Sequence, residues 1–321
     1  MARLDVNIVT SLVGAGLERE ALLLKDLFSK HDIYANLIHY TRFEGLVRAD
    51  ITIFMEVVMP QALALAKENW LIPNSEWWHP VNDRFLPHFS KILCKTTDCY
   101  DIWSRKVDAS KCVFTSFEAR DIYNPEVPRE LRCLHVAGKS EHKNTEAVVR
   151  AWRITQLPHM PKLPELTVIA RAPIFQSLFE VEFPYNNVKW IPHASDAQIL
   201  EFMNSHQIHV IPSMYEGFGH ALQEGIGCGA LVLTTDAAPM NTFAGIFRPG
   251  LIPSQRQEPR CLAQMHTVLP QSVEASVRKA MDICWKPEMY ARYSQQARTG
   301  FLANREFFRA KVMELVNGFR R

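Results

Sequence analysis

Two glutamates eight residues apart, Glu216 and Glu224, bracket the stretch of this 321-residue chain best equipped for chemistry. The run Ile211-Pro212-Ser213-Met214-Tyr215-Glu216-Gly217-Phe218-Gly219-His220-Ala221-Leu222-Gln223-Glu224-Gly225 reads as the end of an apolar strand, a glycine-bearing loop, and a helix opening near Gly219. A mostly helical path separates the two carboxylates by about 12 Å, close to the span from a sugar to the ribose of the nucleotide that carries it. Gly217 and Gly219 let the backbone approach a ligand closely, and a helix start aims free N–H groups and a positive dipole end at it. A second strand–loop–helix passage, Leu134-His135-Val136-Ala137-Gly138-Lys139-Ser140-Glu141-His142-Lys143-Asn144, holds two lysines after a glycine. The competing accounts are a solvated helix face for the glutamates and a charged surface turn for the lysines.

Two passages in the first half also carry reactive or binding side chains. Ser11-Leu12-Val13-Gly14-Ala15-Gly16-Leu17 follows the first strand with a G-x-G, but position 19 is arginine, so the third glycine of a dinucleotide fingerprint is missing. A tight structural turn explains Gly14 and Gly16 equally well. Asn74-Ser75-Glu76-Trp77-Trp78-His79-Pro80 puts aromatic rings beside a carboxylate and an imidazole. Rings with polar tips suit stacking on a sugar or a base, and Glu76 and His79 are candidates for orienting a hydroxyl or removing its proton. Tryptophan pairs also serve as plain packing.

The elements that must position these residues alternate as in a parallel α/β protein. Strands are expected at 6–10, 35–39, 51–56, 70–73, 91–95 and 112–116, then at 131–137, 166–170, 188–191, 209–212 and 231–234. Helices are expected at 18–31, with Leu22, Leu23, Leu27 and Phe28 as its apolar stripe, and at 144–155, 196–205, 219–227 and 273–283, with a helical tail from Pro287. Tyr123–Arg129, with two prolines and no periodicity, reads as a linker. The length fits two domains, an N-terminal one over 1–128 and a C-terminal one over 131–304, with a final helix at about 305–321 returning to the first. Two open sheets in series predict a cleft with ligands at the carboxyl ends of the strands.

Composition narrows the class. Apolar residues make up 47 % and charged ones 22 %, the ordinary balance of a globular protein, and 36 basic against 34 acidic residues leave a formal charge of +2. That balance neither demands nor excludes a polyanionic partner. The seven cysteines form no C-x-x-C pair and read as reduced, buried thiols. No signal-peptide pattern and no 18-residue apolar run is found, so the expectation is a cytoplasmic protein without a transmembrane segment.

With its strand, Pro-Ser and EGFG loop, the Glu216–Glu224 element resembles family 4 of the retaining GT-B glycosyltransferases, the glycosyl transferases group 1 type. The resemblance is strong over about 131–245 and loose elsewhere. It implies an α/β GT-B fold of two Rossmann-like domains facing across a cleft. It implies that Glu216 contacts the donor sugar and Glu224 the donor ribose, with Gly217, Phe218 and Gly219 forming the loop between. Lys139 and Lys143, with Gly138 and Ser140, stand where the family binds the donor pyrophosphate. Lysine at 139 replaces the usual arginine and loses its bidentate fork. Cations there stabilise the charge that the departing diphosphate gains. His193, in Ile191-Pro192-His193-Ala194-Ser195-Asp196, falls in the loop that covers the base, where Asp196 also suits a plain N-cap. Pro239, Met240 and Asn241 fall in a further phosphate-facing loop, and Gly14 and Gly16 in one that reaches donor and acceptor.

The implied activity is transfer of a sugar from a nucleotide diphosphate sugar, such as a UDP- or GDP-sugar, to an acceptor hydroxyl with retention. The acceptor is a glycan, a lipid-linked sugar or a small molecule, with Glu76, Trp77 and His79 as its contacts. No Asp-x-Asp triplet occurs in the chain, and with lysines at hand the expectation is no metal and no cofactor beyond the sugar nucleotide. Three alternatives stay open: transfer to hydroxymethylated bases in DNA, a nucleotide-sugar epimerase, and a non-catalytic binding protein. Arg292, Arg298, Arg305, Arg309, Arg320 and Arg321 would face DNA, but they alternate with carboxylates and read as a solvated face.

Overall fold

A computed structural model describes residues 3–13, 16–42, 45–155, 160–171 and 187–319. The chain divides into two compact units. The first comprises Met1–Arg120, Pro259–Ala263 and Asn304–Arg321; the second comprises Asp121–Glu258 and Gln264–Ala303. Each is built on a parallel sheet, as apolar runs punctuated by helical segments require.

In the first unit β1 (Leu4–Thr10), β2 (Ile33–His39), β3 (Ala49–Met55), β4 (Ala66–Ile72), β5 (Lys91–Cys94) and β6 (Cys112–Phe114) form a sheet in the order β2-β1-β3-β4-β5-β6. All its pairings are parallel. The strand order reverses between β1 and β3, the switch point of a flavodoxin-like sheet. The helix α1 (Gly16–Ser29) packs with Glu20, Ala21, Leu24, Leu27 and Phe28, while Leu22 is half exposed. Leu27 and Phe28 of the expected stripe are buried and Leu23 is partly so, but Leu24 takes the place of Leu22: positions 20, 21, 24, 27 and 28 share one face at 3.6 residues per turn, and 22 does not. Another helix, α2 (Thr97–Lys106), packs Trp103 edge-on against Trp78, with ring centres 5.0 Å apart.

In the second unit β7 (Glu130–Gly138), β8 (Leu166–Ala170), β9 (Val188–Ile191), β10 (His206–Val210) and β11 (Leu231–Leu233) are ordered β11-β10-β7-β8-β9, again all parallel. Numbered within the unit, this is the doubly wound order, with its switch point between β7 and β10. Helices α3 (Thr145–Ile154), α4 (Asp196–Ser205), α5 (His220–Gly227), α6 (Pro270–Cys284) and the start of α7 (Pro287–Phe319) belong to this unit. A further sheet of β12 (Thr235–Asp236), β13 (Ile252–Arg260) and β14 (Ala263–Val268) was not anticipated from sequence, because the polar run SQRQEPR shows no strand alternation.

The segment Tyr123–Arg129, read as a linker, is fastened within the second unit. The Asn124 amide donates to Asn204 Oδ1 at 2.8 Å, and Arg129 donates to the His206 carbonyl at 3.2 Å. Ser195, not Asp196, caps α4, through a reciprocal pair with Gln198. Five cysteines are buried, Cys284 is partly buried and Cys261 is exposed. No helix among the described residues is long and apolar enough to cross a membrane.

Candidate active site

The two loops singled out in the sequence leave neighbouring strands. One follows β7 and the other follows β10, so both emerge at the switch point, where a doubly wound sheet opens a crevice at its carboxyl edge. Each runs into a helix, α3 or α5, whose first N–H groups have no partner within the helix.

Here Lys143 Nζ pairs with Glu216 Oε1, and Ser213 donates its hydroxyl to the same oxygen. The side chains are 15 % and 9 % exposed, so the pair sits mostly out of water, yet open at one side. Glu224 is buried one helical stretch further along α5. Gly217 and Phe218 lie in the loop, Phe218 buried against Phe243. Gly219 precedes α5 with φ +79°, and a Cβ there would lie 3.3 Å from Glu216 side-chain carbons. Only glycine combines that conformation with that approach.

The β7 loop turns at Gly138, φ +59°, and Ser140 Oγ accepts from the His142 amide. Asn144 closes the loop in the left-handed conformation, φ 49°. Its side-chain amide donates to the Pro212 carbonyl at 2.7 Å and the His266 carbonyl at 3.1 Å. The Met214 amide donates to His142 O and the His266 amide to Met214 O. These bonds lock the lysine loop, the glutamate loop and β14 together. Sequence reading passed over Asn144, Ser213 and His266. The Pro-Ser before the glycine loop was the available signal for Ser213, and nothing local pointed to the other two.

Beneath the loop, His135 Nδ1 faces the Val210 carbonyl at 2.6 Å and Nε2 faces Thr145 Oγ1 at 2.9 Å. A carbonyl only accepts, so Nδ1 carries the hydrogen and neutral Nε2 accepts from the threonine hydroxyl. Burial, aided by the positive charge of Lys143, pushes His135 down to about 4.

Lys139 is exposed on the β7 loop and His193 is exposed before α4. Pro239 and Met240 are buried, and Asn241 donates from its side chain to Asp236 at 2.8 Å. In the first unit Glu76 is buried, Trp77 is 47 % exposed under the Arg260 guanidinium at 4.0 Å, and His79 accepts from the Val81 amide at a turn. Gly16 opens α1, and Gly14 lies outside the described residues. Of the arginines read as a solvated face, Arg292 is exposed, Arg320 and Arg321 lie outside the described residues, and the other three are engaged. Arg298 forks onto Asp121, while Arg305 and Arg309 bind the buried Glu118.

The fold is α/β with two Rossmann-like parallel sheets, the GT-B architecture. Residues 175–299 match the family model of the glycosyl transferases group 1. No curated protein matches the chain. Among solved structures, sucrose-phosphate synthase of Thermosynechococcus elongatus is similar over 98 % of this chain and 99 % of that one, with TM-score 0.71 and 10 % identity. An alpha-glucosyltransferase in complex with UDP-glucose and DNA containing an abasic site is similar over 99 % of each chain, with TM-score 0.66 and 12 % identity. A GtfA/B complex is similar over 85 % of this chain, TM-score 0.63 and 16 % identity, and this chain spans only 58 % of that one.

Proposed function

We propose that this chain transfers a sugar from a nucleotide diphosphate sugar to an acceptor hydroxyl, with retention of configuration and with side chains rather than a metal ion balancing the diphosphate. The observation that carries this is the convergence of Lys143, Ser213 and Glu216 at the switch point, between the starts of α3 and α5. A cation and two helix ends suit a diphosphate, and a neighbouring carboxylate suits the hydroxyls of the sugar attached to it.

In this reading Lys143 and the α3 amides hold the diphosphate, with Lys139 and the Pro239–Asn241 amides as outer contacts. Glu216 orients the sugar, Glu224 binds the ribose and His193 lies over the base. The sugar carbon–phosphate oxygen bond breaks as an acceptor oxygen bonds to the same face of that carbon. The acceptor proton passes to the departing phosphate oxygen, so no protein nucleophile is required. A hydroxylated glycan, lipid-linked or small acceptor fits better than hydroxymethylated DNA, because Arg298, Arg305 and Arg309 are bound to carboxylates. The reading includes a cytoplasmic location.

The test is calorimetry with nucleoside diphosphates after a thermal-shift screen of UDP- and GDP-sugars. Glu224→Ala should lose about 1.5–3 kcal/mol of nucleotide affinity, the worth of charged hydrogen bonds; unchanged affinity removes Glu224 from the ribose. Turnover should stay within about twofold in excess EDTA, a difference below 0.5 kcal/mol. Loss on chelation with recovery in magnesium or manganese would refute the metal-free balance.

A further inference from the structure

The second unit carries a cavity at the edge of its sheet opposite to Lys143 and Glu216. One wall is the segment Tyr123–Arg129 and the other is the part of α7 from Tyr290 to Thr299, with Gly229 also lining it. Arg129 immediately precedes β7, and Gly229 lies two residues before β11, so the cavity sits at the amino ends of these strands. The nine residues of β7 hold it about 30 Å from the Gly138 turn. Its volume of about 660 Å³ falls within the range of small-molecule sites, about 300–1,000 Å³.

Among the described residues that line it, two are arginines and none is acidic. The two cations are not equivalent. Arg298 forks onto Asp121 at 2.6 and 2.8 Å, and that carboxylate cancels its charge. Arg129 is partly buried and donates to the carbonyls of His206 and Cys228, and no carboxylate among the described residues pairs with it. Neutral acceptors hold the guanidinium in place without neutralising it, and part of its donor fork stays available. Burial pushes the Tyr290 phenol up to about 12, with Arg129 opposing, so this wall adds no negative charge either. A cation held partly out of water without a counter-charge is costly, and a bound anion relieves that cost.

The remaining groups define what carries the anion. Tyr123 is 43 % exposed, with the Arg298 guanidinium over its ring at 4.9 Å, and Pro125 and Pro128 line the same wall. An aromatic face beside proline rings suits a flat or ring-shaped body. One uncompensated positive charge matches one carboxylate. A phosphate monoester, with about two negative charges at neutral pH, calls for a second free cation.

We propose that this cavity binds a small carboxylic acid built on a ring, with its carboxylate on Arg129 and its ring against Tyr123. Arginine's planar fork matches the two oxygens of a carboxylate. Thr299 and Gln295, exposed on α7, offer hydrogen bonds to hydroxyls on the ring. Such a site is separate from the donor loops and does not depend on transfer of a sugar.

The experiment is saturation-transfer NMR on the whole chain at neutral pH, with sodium benzoate and sodium glucuronate. These carry the same carboxylate on an aromatic and on a sugar ring. At least one should receive saturation, and the comparison shows which ring the cavity takes. Arg129→Gln should reduce the signal at least fivefold. Because Arg129 also holds two carbonyls, Thr299→Glu serves as a second variant: it leaves those bonds in place and sets a competing carboxylate in the cavity. It should reduce the signal by at least the same factor, with circular dichroism checking both folds. Equal concentrations of inorganic phosphate or UDP should leave the signal within twofold. The site is overturned by a wild-type chain that binds neither acid, by full binding in a folded Thr299→Glu chain, or by displacement with phosphate or UDP.

Discussion

Lys143 and Glu216 matter as a pair before either matters alone. The two charges meet in a largely water-excluded place with Ser213 on the same carboxylate oxygen. Removing one partner of such a pair strands the other, which costs more than the pair contributes. Lys143→Ala should therefore act twice. It should lower kcat by about 100-fold, around 2.7 kcal/mol, because a cation on the leaving group helps the transition state more than the bound donor. It should also lower the melting temperature, through unpaired Glu216. The double variant Lys143→Ala/Glu216→Gln should recover stability without recovering turnover. Steady-state kinetics beside thermal melts separates the two effects, and a folded Lys143→Ala enzyme at the wild-type rate would remove the lysine from the site.

At the scale of the element, α5 is held at both ends. Its start depends on Gly219 in the left-handed region, with Glu216 folded against it. Its end meets two arginines: Arg298 donates to the Gly227 carbonyl at 3.0 Å, and Arg129 donates to that of Cys228. Cations there satisfy orphan carbonyls and oppose the negative end of the dipole. Along its length the helix lies close on β10, since a Cβ at Gly225 would come within 2.6 Å of His209 Nδ1. Gly219→Ala should cost about 1–2 kcal/mol for the left-handed backbone and displace Glu216 as well. Denaturant melts should show the stability loss, and turnover should fall further than stability accounts for. A variant with wild-type kcat would show that the loop tolerates a different path.

For the molecule as a whole, the second unit's sheet carries buried neutral histidines. Burial holds His135 and His206 down to about 4, and His209 well below its ordinary value. A histidine whose folded pKa is depressed adds stability that is present above the unfolded value near 6.5 and is lost as pH falls through the folded value. The loss should run from about pH 6.5 to 4 and be on the order of 3 kcal/mol for His135, held down to about 4. Glu56, raised instead, works in the opposite sense and loses stability as pH rises above 4.5. Because Nε2 of His135 accepts from Thr145 at the head of α3, protonation should loosen the Lys143 loop before the sheet melts. Urea midpoints at pH 7.5, 5.5 and 4.5 check this, with amide exchange of residues 138–145 as the local readout. Midpoints independent of pH would overturn it.

What the sequence determined by itself was everything encoded over short range. Apolar runs of four to seven residues bounded by glycine, proline and helical periods marked both parallel sheets. The glycines at 217 and 219 between two spaced glutamates marked the candidate site, because close approach and left-handed turns demand a residue type that is visible locally. Helix phase was less legible: four leucines in succession or near succession leave the face of α1 undetermined until the sheet chooses Leu24 over Leu22. Contacts between distant residues were not legible at all. Only tertiary structure sets Lys143 against Glu216, 73 positions away, and Asn144 against His266, 122 away. It alone ties Glu118 to Arg309, and Asn74 to Glu56 at the edge of a sheet. The reason is topological: a switch point joins strands that are far apart in the chain, so the residues at their carboxyl ends become neighbours through strand order, which no window of sequence contains.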